Sequence, residues 1–137
     1  MKQVIKLPIE QTIIVPSTTR ADKPISKAKM RGRVDEVRKF LSMKFGGYTS
    51  TKGMGGWYSN NKKKLIKEDI VKVTGFSSSK NYNKNKNLLV KQIRNWGHKW
   101  GQESMGYEKE GDLFLYDTKR KAKLKAKLKS KLRRKKK

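Results

Sequence analysis

The sequence predicts an α+β domain of the ferredoxin-like type, an antiparallel sheet with two helices on one face, followed by a basic C-terminal arm. Three observations predict it. A short β-branched run opens the chain, two later segments repeat apolar residues at helical spacing, and strand-like segments stand in pairs around short turns. The order is strand, helix, hairpin, helix and a closing strand or hairpin, which is the βαββαβ order of a plait.

The first strand is predicted over 11–16, where a β-branched run ends at Pro16. A helix is predicted over roughly 27–45, after Ser26 as a possible cap and before Gly46-Gly47 as a stop. Its apolar positions are Met30, Val34, Val37, Leu41 and Phe45. One face of this helix is therefore expected to pack on the sheet.

A hairpin is predicted next, from strands over 48–59 and 65–76. The first strand is interrupted by Gly53-Met54-Gly55-Gly56, which indicates a tight turn or a bulge. The second strand is the best in the chain, with Val71 and Val73 expected on one face.

After a polar loop, a second helix is predicted over about 85–102 from Leu89, Ile93, Trp96 and Trp100. Gly97 and Gly101 weaken it by about 1 kcal/mol each relative to Ala. Two short strands over 104–108 and 112–116, joined by a Lys-Glu-Gly turn, close the domain.

The last nineteen residues hold thirteen Lys or Arg and no acidic residue, in a chain with a net charge of +26. The boundary is therefore predicted at 118, with a folded domain over 1–118 and a tail over 119–137. Free, such a tail is expected to be disordered, and helical when bound to a polyanion. Its basic residues are Lys119, Arg120, Lys121, Lys123, Lys125, Lys127, Lys129, Lys131, Arg133, Arg134, Lys135, Lys136 and Lys137.

The charge predicts a nucleic-acid-binding protein that contacts the phosphate backbone without reading sequence, either a DNA-compacting nucleoid or virion protein or a ribosomal or other RNA-binding protein. Lysine outnumbers arginine, and arginine is the residue that reads bases by paired hydrogen bonds. Further phosphate contacts are predicted on the second helix, from Lys84, Lys86, Lys91 and Arg94. No catalytic residue, metal or cofactor is predicted, and DNA and RNA are not distinguished.

Two other classes of function stay open. The first is a small metal-dependent nuclease or regulatory enzyme with a basic anchor. Its carboxylates would come from Glu68, Asp69, Glu103, Glu108, Glu110 and Asp112, and His98 would be an acid or base. The second is an interaction module whose tail is a localisation or membrane-surface signal. The membrane surface is disfavoured because the leucine side of the tail has no aromatic anchor.

Aromatic residues on the predicted strands allow two interpretations. They are Tyr48, Trp57, Tyr58, Tyr107 and Tyr116. On the helix-free face of a plait such residues can stack on RNA bases, but the RNA-recognition octamer is missing. Core packing or an interface in a homo-oligomer explains them equally well.

The composition excludes several kinds of site. Without cysteine there is no disulfide, thiolate metal ligand or cysteine nucleophile. No apolar run reaches the length of a membrane span, and no signal peptide is recognisable. The sequence therefore predicts an intracellular protein of the cytoplasm or nucleoid, or one packaged inside a virion, and not a secreted one.

The motifs VRKFLSMKFGGYTSTKGMGGWY and WGHKWGQESMGYEKEGDL give the chain a resemblance to known sequences. It resembles a group of small prokaryotic and viral proteins in which a GGYT…G…W hairpin follows the first helix and a QE…GYE strand closes the fold. The resemblance covers roughly residues 11–116 and excludes the tail. It implies a ferredoxin-like plait and implies no activity.

Overall fold

The computed structural model describes residues 4–20 and 23–118. The strands are β1 (Ile9–Pro16), β2 (Thr18–Thr19), β3 (Lys23–Pro24), β4 (Thr49–Ser59), β5 (Lys64–Ser77), β6 (Ser104–Lys109) and β7 (Asp112–Asp117). The helices are α1 (Lys27–Phe45), which precedes β4, and α2 (Ser79–Lys99), which precedes β6. The predicted tail over 119–137 lies outside the described residues.

The main sheet has five antiparallel strands in the order β4-β5-β1-β6-β7. Its first four strands have the order of a ferredoxin-like plait, and β7 adds an edge strand. The predicted fold class is thus confirmed. The short β2–β3 pair forms a separate two-stranded sheet between the predicted first strand and first helix, where no strand was predicted.

The core lies between the helices and one face of this sheet, and its residues alternate along each strand. Ile13 and Val15 on β1, Val73 on β5 and Tyr107 on β6 are at most 1% exposed. The helices contribute Val34, Val37, Leu41 and Phe45 from α1, and Leu89, Ile93, Trp96 and, just after α2, Trp100. Both helices therefore cover one face, and the opposite one is called the open face below.

A polar pair is buried within this core. The Tyr107 hydroxyl donates to Gln11 Oε1 at 2.7 Å. Burial raises the pKa of the Tyr107 phenol well above its ordinary value, and Tyr82 raises it further. The Gln11 Nε2 group, by contrast, is buried without a hydrogen-bond partner among the described residues. Loss of the Tyr107 hydroxyl would leave the buried Gln11 Oε1 without this donor, in addition to the unsatisfied Nε2 group. The hydroxyl of Tyr107 therefore contributes to stability.

The hairpin of β4 and β5 is longer than the rest of the sheet. Strand β1 ends where Pro16 pairs with Ile70, and beyond this point β4 and β5 pair only with each other, from Met54↔Asp69 to Ser59↔Lys64. We call residues 54–69 the arm. The glycines predicted to interrupt β4 lie within the continuous strand instead.

Helix α2 begins at Ser79, six residues earlier than predicted, and ends at Lys99. The Ser78 side chain accepts from the Asn81 backbone N–H and caps the helix. Asn81 donates to the Lys44 carbonyl at the end of α1, and Asn85 donates to Asn81. These bonds hold in helical form a segment whose asparagines favour turns.

The structure requires or favours glycine at both glycine positions near the end of α2. A Cβ at Gly97 would lie 2.7 Å from Met105 Cγ and closer still to Thr118, so only glycine fits. Gly101 adopts φ +68°, a left-handed conformation that favours glycine. Its carbonyl accepts from the Arg20 backbone N–H. The predicted helix end at 102 is therefore three residues too late.

No helix in the described ranges is both long enough and apolar enough to cross a membrane.

Candidate active site at the end of strand β1

The side chains of Thr18 and Glu68 meet where β1 stops and the arm begins. Thr18, on β2, donates from Oγ1 to Glu68 Oε2 at 2.7 Å. Glu68 lies two residues beyond Ile70, the last residue of β5 that pairs with β1, and is half-buried. Because β1 ends at Pro16, the edge of β5 has no neighbouring strand of the main sheet at Glu68. This carboxylate can therefore be approached from the helix layer as well as from the open face.

A buried arginine lies beside this pair. Arg33 of α1 is 7% exposed and donates from Nη1 to the carbonyls of Pro16 and Thr18, at 2.7 and 2.9 Å. Its guanidinium lies over the Trp100 ring, 5.2 Å from the centroid. Burial lowers the pKa of Arg33, and the negative charge of Glu68 opposes that shift. The buried Arg33 cation and the half-buried Glu68 carboxylate therefore attract each other without forming an ion pair.

Gln102 completes this cluster from the segment after α2. Its Nε2 donates to the Thr18 carbonyl at 2.6 Å and to the Trp100 carbonyl at 3.1 Å. Arg33 also donates to the Trp100 carbonyl, from Nη2 at 3.3 Å. Arg33 and Gln102 thus both donate hydrogen bonds to the carbonyls of Thr18 and Trp100. These bonds hold the backbone at Thr18 against α1 and the end of α2.

A strip of glycine lies next to Glu68 on the open face. Gly53 and Gly55 of β4 pair with Ile70 and Glu68 of β5. A Cβ at either glycine would meet only Ile70 side-chain atoms, at ordinary distances of 3.5 Å or more. Packing within the described chain therefore does not require glycine here, and a glycine inside a strand often marks close approach of a ligand or another backbone.

Apolar side chains flank the glycine strip. Ile66 and Ile70 are each 8% exposed, although they lie outside the main core cluster. Trp57, which pairs with Ile66, is 42% exposed. The site thus places apolar side chains and two glycines beside a carboxylate that is held by a hydrogen bond.

The open face has the opposite charge balance to the chain as a whole. Its strand positions, set by the alternation along each strand, hold four carboxylates and two lysines: Glu10, Glu68, Glu108, Asp117, Lys64 and Lys72. Lys72 is paired with Glu108 at 3.0 Å. The open face therefore attracts small cations better than polyanions.

The predicted phosphate-binding lysines lie elsewhere. Lys84, Lys86, Lys91 and Arg94 are exposed on α2, in the helix layer. The Arg94 guanidinium lies over the ring of Tyr116, 5.3 Å from its centroid. The thirteen tail residues of the same prediction fall outside the described residues, so whether any of these side chains binds phosphate stays a prediction.

The aromatic residues on the strands do not gather on the open face. Tyr107 is buried beneath the helices and Tyr116 packs against the same core. Tyr48 lies under the Arg38 guanidinium, 5.3 Å from the ring centroid, and Tyr58 is exposed on the arm. Of these five residues only Trp57 occupies an open-face strand position. The other aromatic strand residue on that face in the described ranges, Phe76, lies ten residues along β5 from Ile66, the partner of Trp57, so the two rings do not form a continuous surface for stacking successive bases.

The acidic residues do not form a metal site either. Nowhere in residues 4–20 and 23–118 do three His, Asp or Glu side chains come close enough to bind a metal ion together. Glu68 and its neighbour Asp69 point to opposite faces of β5, because side chains alternate along a strand. His98 is exposed on α2, as its surroundings in the sequence predict.

Sequence reasoning named Glu68 only as one of six carboxylates of an alternative metal site, and it missed the residues around Glu68. Arg33 lies on the same helical stripe as Met30, Val34 and Val37, and this position was the available signal for a buried cation. Thr18 and Gln102 carried no signal, since their contact depends on bringing the chain after β1 against the chain after α2.

No known protein family and no curated protein sequence matches the chain. The resemblance to the GGYT…G…W group therefore stays a prediction.

Two solved structures share the fold, and both are of a phage SAM lyase. The lyase in complex with S-methyl-5'-thioadenosine matches with a TM-score of 0.61 and 14% sequence identity, over 87% of this chain and 96% of that chain. The lyase in its apo state matches with a TM-score of 0.55 and 13% identity, over 85% of this chain and 96% of that chain. At this identity the likeness establishes the shared fold.

These matches contradict the function predicted from charge. A nucleic-acid-binding protein without enzymatic activity was the expectation, and the structures that share the fold over most of both chains are of an enzyme. The prediction is wrong because it rested on the total charge. Much of that charge belongs to the tail and the helix layer, whereas the open face is the acidic side of the domain.

Proposed function

We propose that the chain is an enzyme that binds S-adenosylmethionine and cleaves it as a lyase, releasing S-methyl-5'-thioadenosine. The observation that carries the proposal is the match of nearly the whole fold to a SAM lyase that binds this thioadenosine. The site at the end of β1 also supports it, because it places a glycine strip and apolar side chains next to one carboxylate.

The chemistry of this substrate fits the open face. S-adenosylmethionine carries a permanent sulfonium charge and an ammonium group, and both favour the acidic side of a strongly basic domain. Cleavage breaks the bond between the sulfur and Cγ of the methionine-derived chain. The bonding electron pair stays on sulfur, which becomes a neutral thioether. In the same step the four-carbon fragment either closes to a lactone, by attack of its own carboxylate oxygen on Cγ, or loses a Cβ proton to water and becomes an alkene.

The role of Glu68 follows from how these charges change. The sulfonium charge is lost as the carbon–sulfur bond breaks, so a carboxylate placed on it would stabilise the substrate more than the transition state. The ammonium charge is kept throughout. Glu68 therefore acts by binding the ammonium group and holding the methionine-derived chain in a reactive conformation.

The glycine strip accounts for the other half of the substrate. Without side chains at Gly53 and Gly55, a planar adenine can lie directly on the backbone of β4, against Ile70 and beside Trp57. The distance from this surface to Glu68 is short, because Gly55 and Glu68 are a directly paired position of the hairpin.

The arm supports assembly with further copies of the chain. Its exposed apolar residues are Met54, Trp57, Tyr58 and Leu65. A two-stranded ribbon is marginally stable by itself, and contiguous exposed apolar surface marks interaction sites. We therefore propose a homo-oligomer in which the arm packs on another copy and encloses the shallow site.

The direct test is to incubate the purified full-length chain with S-adenosylmethionine and follow S-methyl-5'-thioadenosine by chromatography. Product formation is expected, and the mass of the four-carbon fragment shows which of its two fates occurs. S-adenosylhomocysteine, which lacks the sulfonium charge, should not be cleaved. Absence of product at any protein concentration would reject the lyase.

A further inference from the structure

We propose that Arg33 is a positioning residue for Glu68, which it reaches through Thr18. This inference rests on the proposed function, in which Glu68 binds the substrate. In this proposal a residue of the helix layer, on the other side of the sheet, determines the position of the Glu68 carboxylate. The sequence does not indicate this connection between Arg33 and Glu68.

The geometry gives each step of this connection. Arg33 Nη1 bonds the carbonyls on both sides of Ser17, which are those of Pro16 and Thr18. The turn between β1 and β2 is thereby held in one conformation. Thr18 then directs its hydroxyl to Glu68 Oε2 at 2.7 Å, and the proposal assigns the other carboxylate oxygen, Oε1, to the ligand.

The choice of arginine at this position has a physical reason. Three carbonyls surround the guanidinium, those of Pro16, Thr18 and Trp100, and the Trp100 ring lies against it. A lysine ammonium can keep the charge but cannot bridge spread carbonyls and stack on a ring at once. Arg33→Lys therefore preserves the buried charge while loosening the turn.

A buried cation without a carboxylate in direct contact is costly to fold around. None of the ion pairs seen among the described residues includes Arg33, and its electrostatic partner is Glu68. The protein thus keeps beside the site a buried charge that is compensated at a distance, without an ion pair. The negative charge of Glu68 partly offsets the cost of burying the Arg33 charge. The contributions of the two residues to stability are therefore coupled, even though Thr18 lies between them.

The first test measures this coupling without any substrate. Thermal and denaturant unfolding are compared for the full-length wild type, Arg33→Lys, Glu68→Ala and the double variant. A positioning role predicts that the effects are not additive, with the double variant losing less stability than the two single losses combined. Additive losses would overturn the proposal, whether or not the chain cleaves S-adenosylmethionine.

The second test uses Thr18 and measures S-methyl-5'-thioadenosine formation. Thr18→Val removes the hydroxyl with little change in shape, and kcat/KM should fall roughly 10- to 100-fold, as for loss of a hydrogen bond to a charged group. Thr18→Ser restores the hydroxyl and should recover most of the activity. In a Glu68→Ala background, Thr18→Val should cause no further loss.

The outcomes separate the two proposals. If the wild type forms no product while the unfolding cycle shows coupling, the lyase is rejected and the link between Arg33 and Glu68 stands. If the wild type is active and Thr18→Val, folded like the wild type, keeps full activity, the positioning role is rejected and the lyase stands.

Discussion

Thr18 and Glu68 are fifty residues apart in the chain and form a 2.7 Å hydrogen bond at the point where the five-stranded sheet narrows to two strands. The bond crosses from the β1–β2 turn to the open face, between a helix layer rich in lysine and a sheet surface rich in carboxylates. It places one fixed negative charge beside the glycine strip of β4.

The glycine strip gives a first prediction. Gly53→Ala and Gly55→Ala should fold normally, with a change in the free energy of unfolding below about 1 kcal/mol, since each new Cβ has room. The methyl groups should hold a ring away from the backbone, so KM for S-adenosylmethionine should rise. Unchanged kinetics in both variants would remove the strip from the site.

Gly97 is the matched contrast for that experiment, because the structure leaves no space for a Cβ atom at this position. Gly97→Ala forces a methyl group against Thr118 and Met105 and should destabilise the protein by about 1–3 kcal/mol in denaturant unfolding. A variant as stable as the wild type would show that the end of α2 can move away from β6.

Tyr107 gives a prediction about alkaline pH. Burial raises the pKa of its phenol in the folded state above the unfolded value of about 10. Below pH 10 both states hold the proton, so the contribution of Tyr107 to stability is complete. Above it the unfolded state ionises first, and stability falls as pH rises toward the folded pKa.

The free energy of unfolding of Tyr107→Phe should therefore fall less steeply than that of the wild type as pH rises above 10, as followed by circular dichroism. At neutral pH it should be less stable by about 1–3 kcal/mol, because Gln11 loses its partner. Tyr48→Phe removes an exposed phenol outside the arm and is the control. Equal alkaline slopes for Tyr107→Phe and the wild type would contradict the assignment.

The arm gives a prediction about assembly. Tyr58→Lys and Leu65→Lys place charge on two exposed apolar positions that face away from the glycine strip. Sedimentation velocity should show a lower mass for these variants than for the wild type. A wild type that sediments as a monomer at all concentrations would reject the homo-oligomer.

The predicted domain boundary can be tested by truncation. Residues 1–118 should unfold in one cooperative transition, because the core residues lie between Ile13 and Tyr107. The measurement is denaturant unfolding beside the full-length chain at equal ionic strength. A truncated chain with no cooperative transition would place part of the folding information in 119–137.

The fold was predictable from the sequence because its signals are local. Apolar spacing in α1, the paired strands of β4–β5 and the glycines after α1 each determine their own element. The start of α2 was missed because Asn81 and Asn85 are stabilised by contacts with Lys44 and with each other. The β2–β3 pair was missed because two residues per strand leave no periodicity to detect.

The site was predictable only in part. Glu68 was among the candidate carboxylates, but its separation from Asp69 depends on which face of β5 each occupies. Arg33 lies on the apolar stripe of a predicted helix, which is a signal for burial, but the sequence does not indicate which carboxylate lies near it. Total charge misled the functional prediction, because charge is a property of each surface, and the open face differs in sign from the rest.

The measurement that tests the central claim most directly compares Glu68→Gln with Asp69→Asn in S-methyl-5'-thioadenosine formation from S-adenosylmethionine. Both variants remove one carboxylate from adjacent positions of β5, but only Glu68 lies beside the glycine strip. The account predicts that Glu68→Gln lowers kcat/KM by at least about tenfold, as for loss of a charged hydrogen bond, and that Asp69→Asn retains wild-type activity. Equal activity of the two variants, or a wild type that forms no thioadenosine, would contradict it.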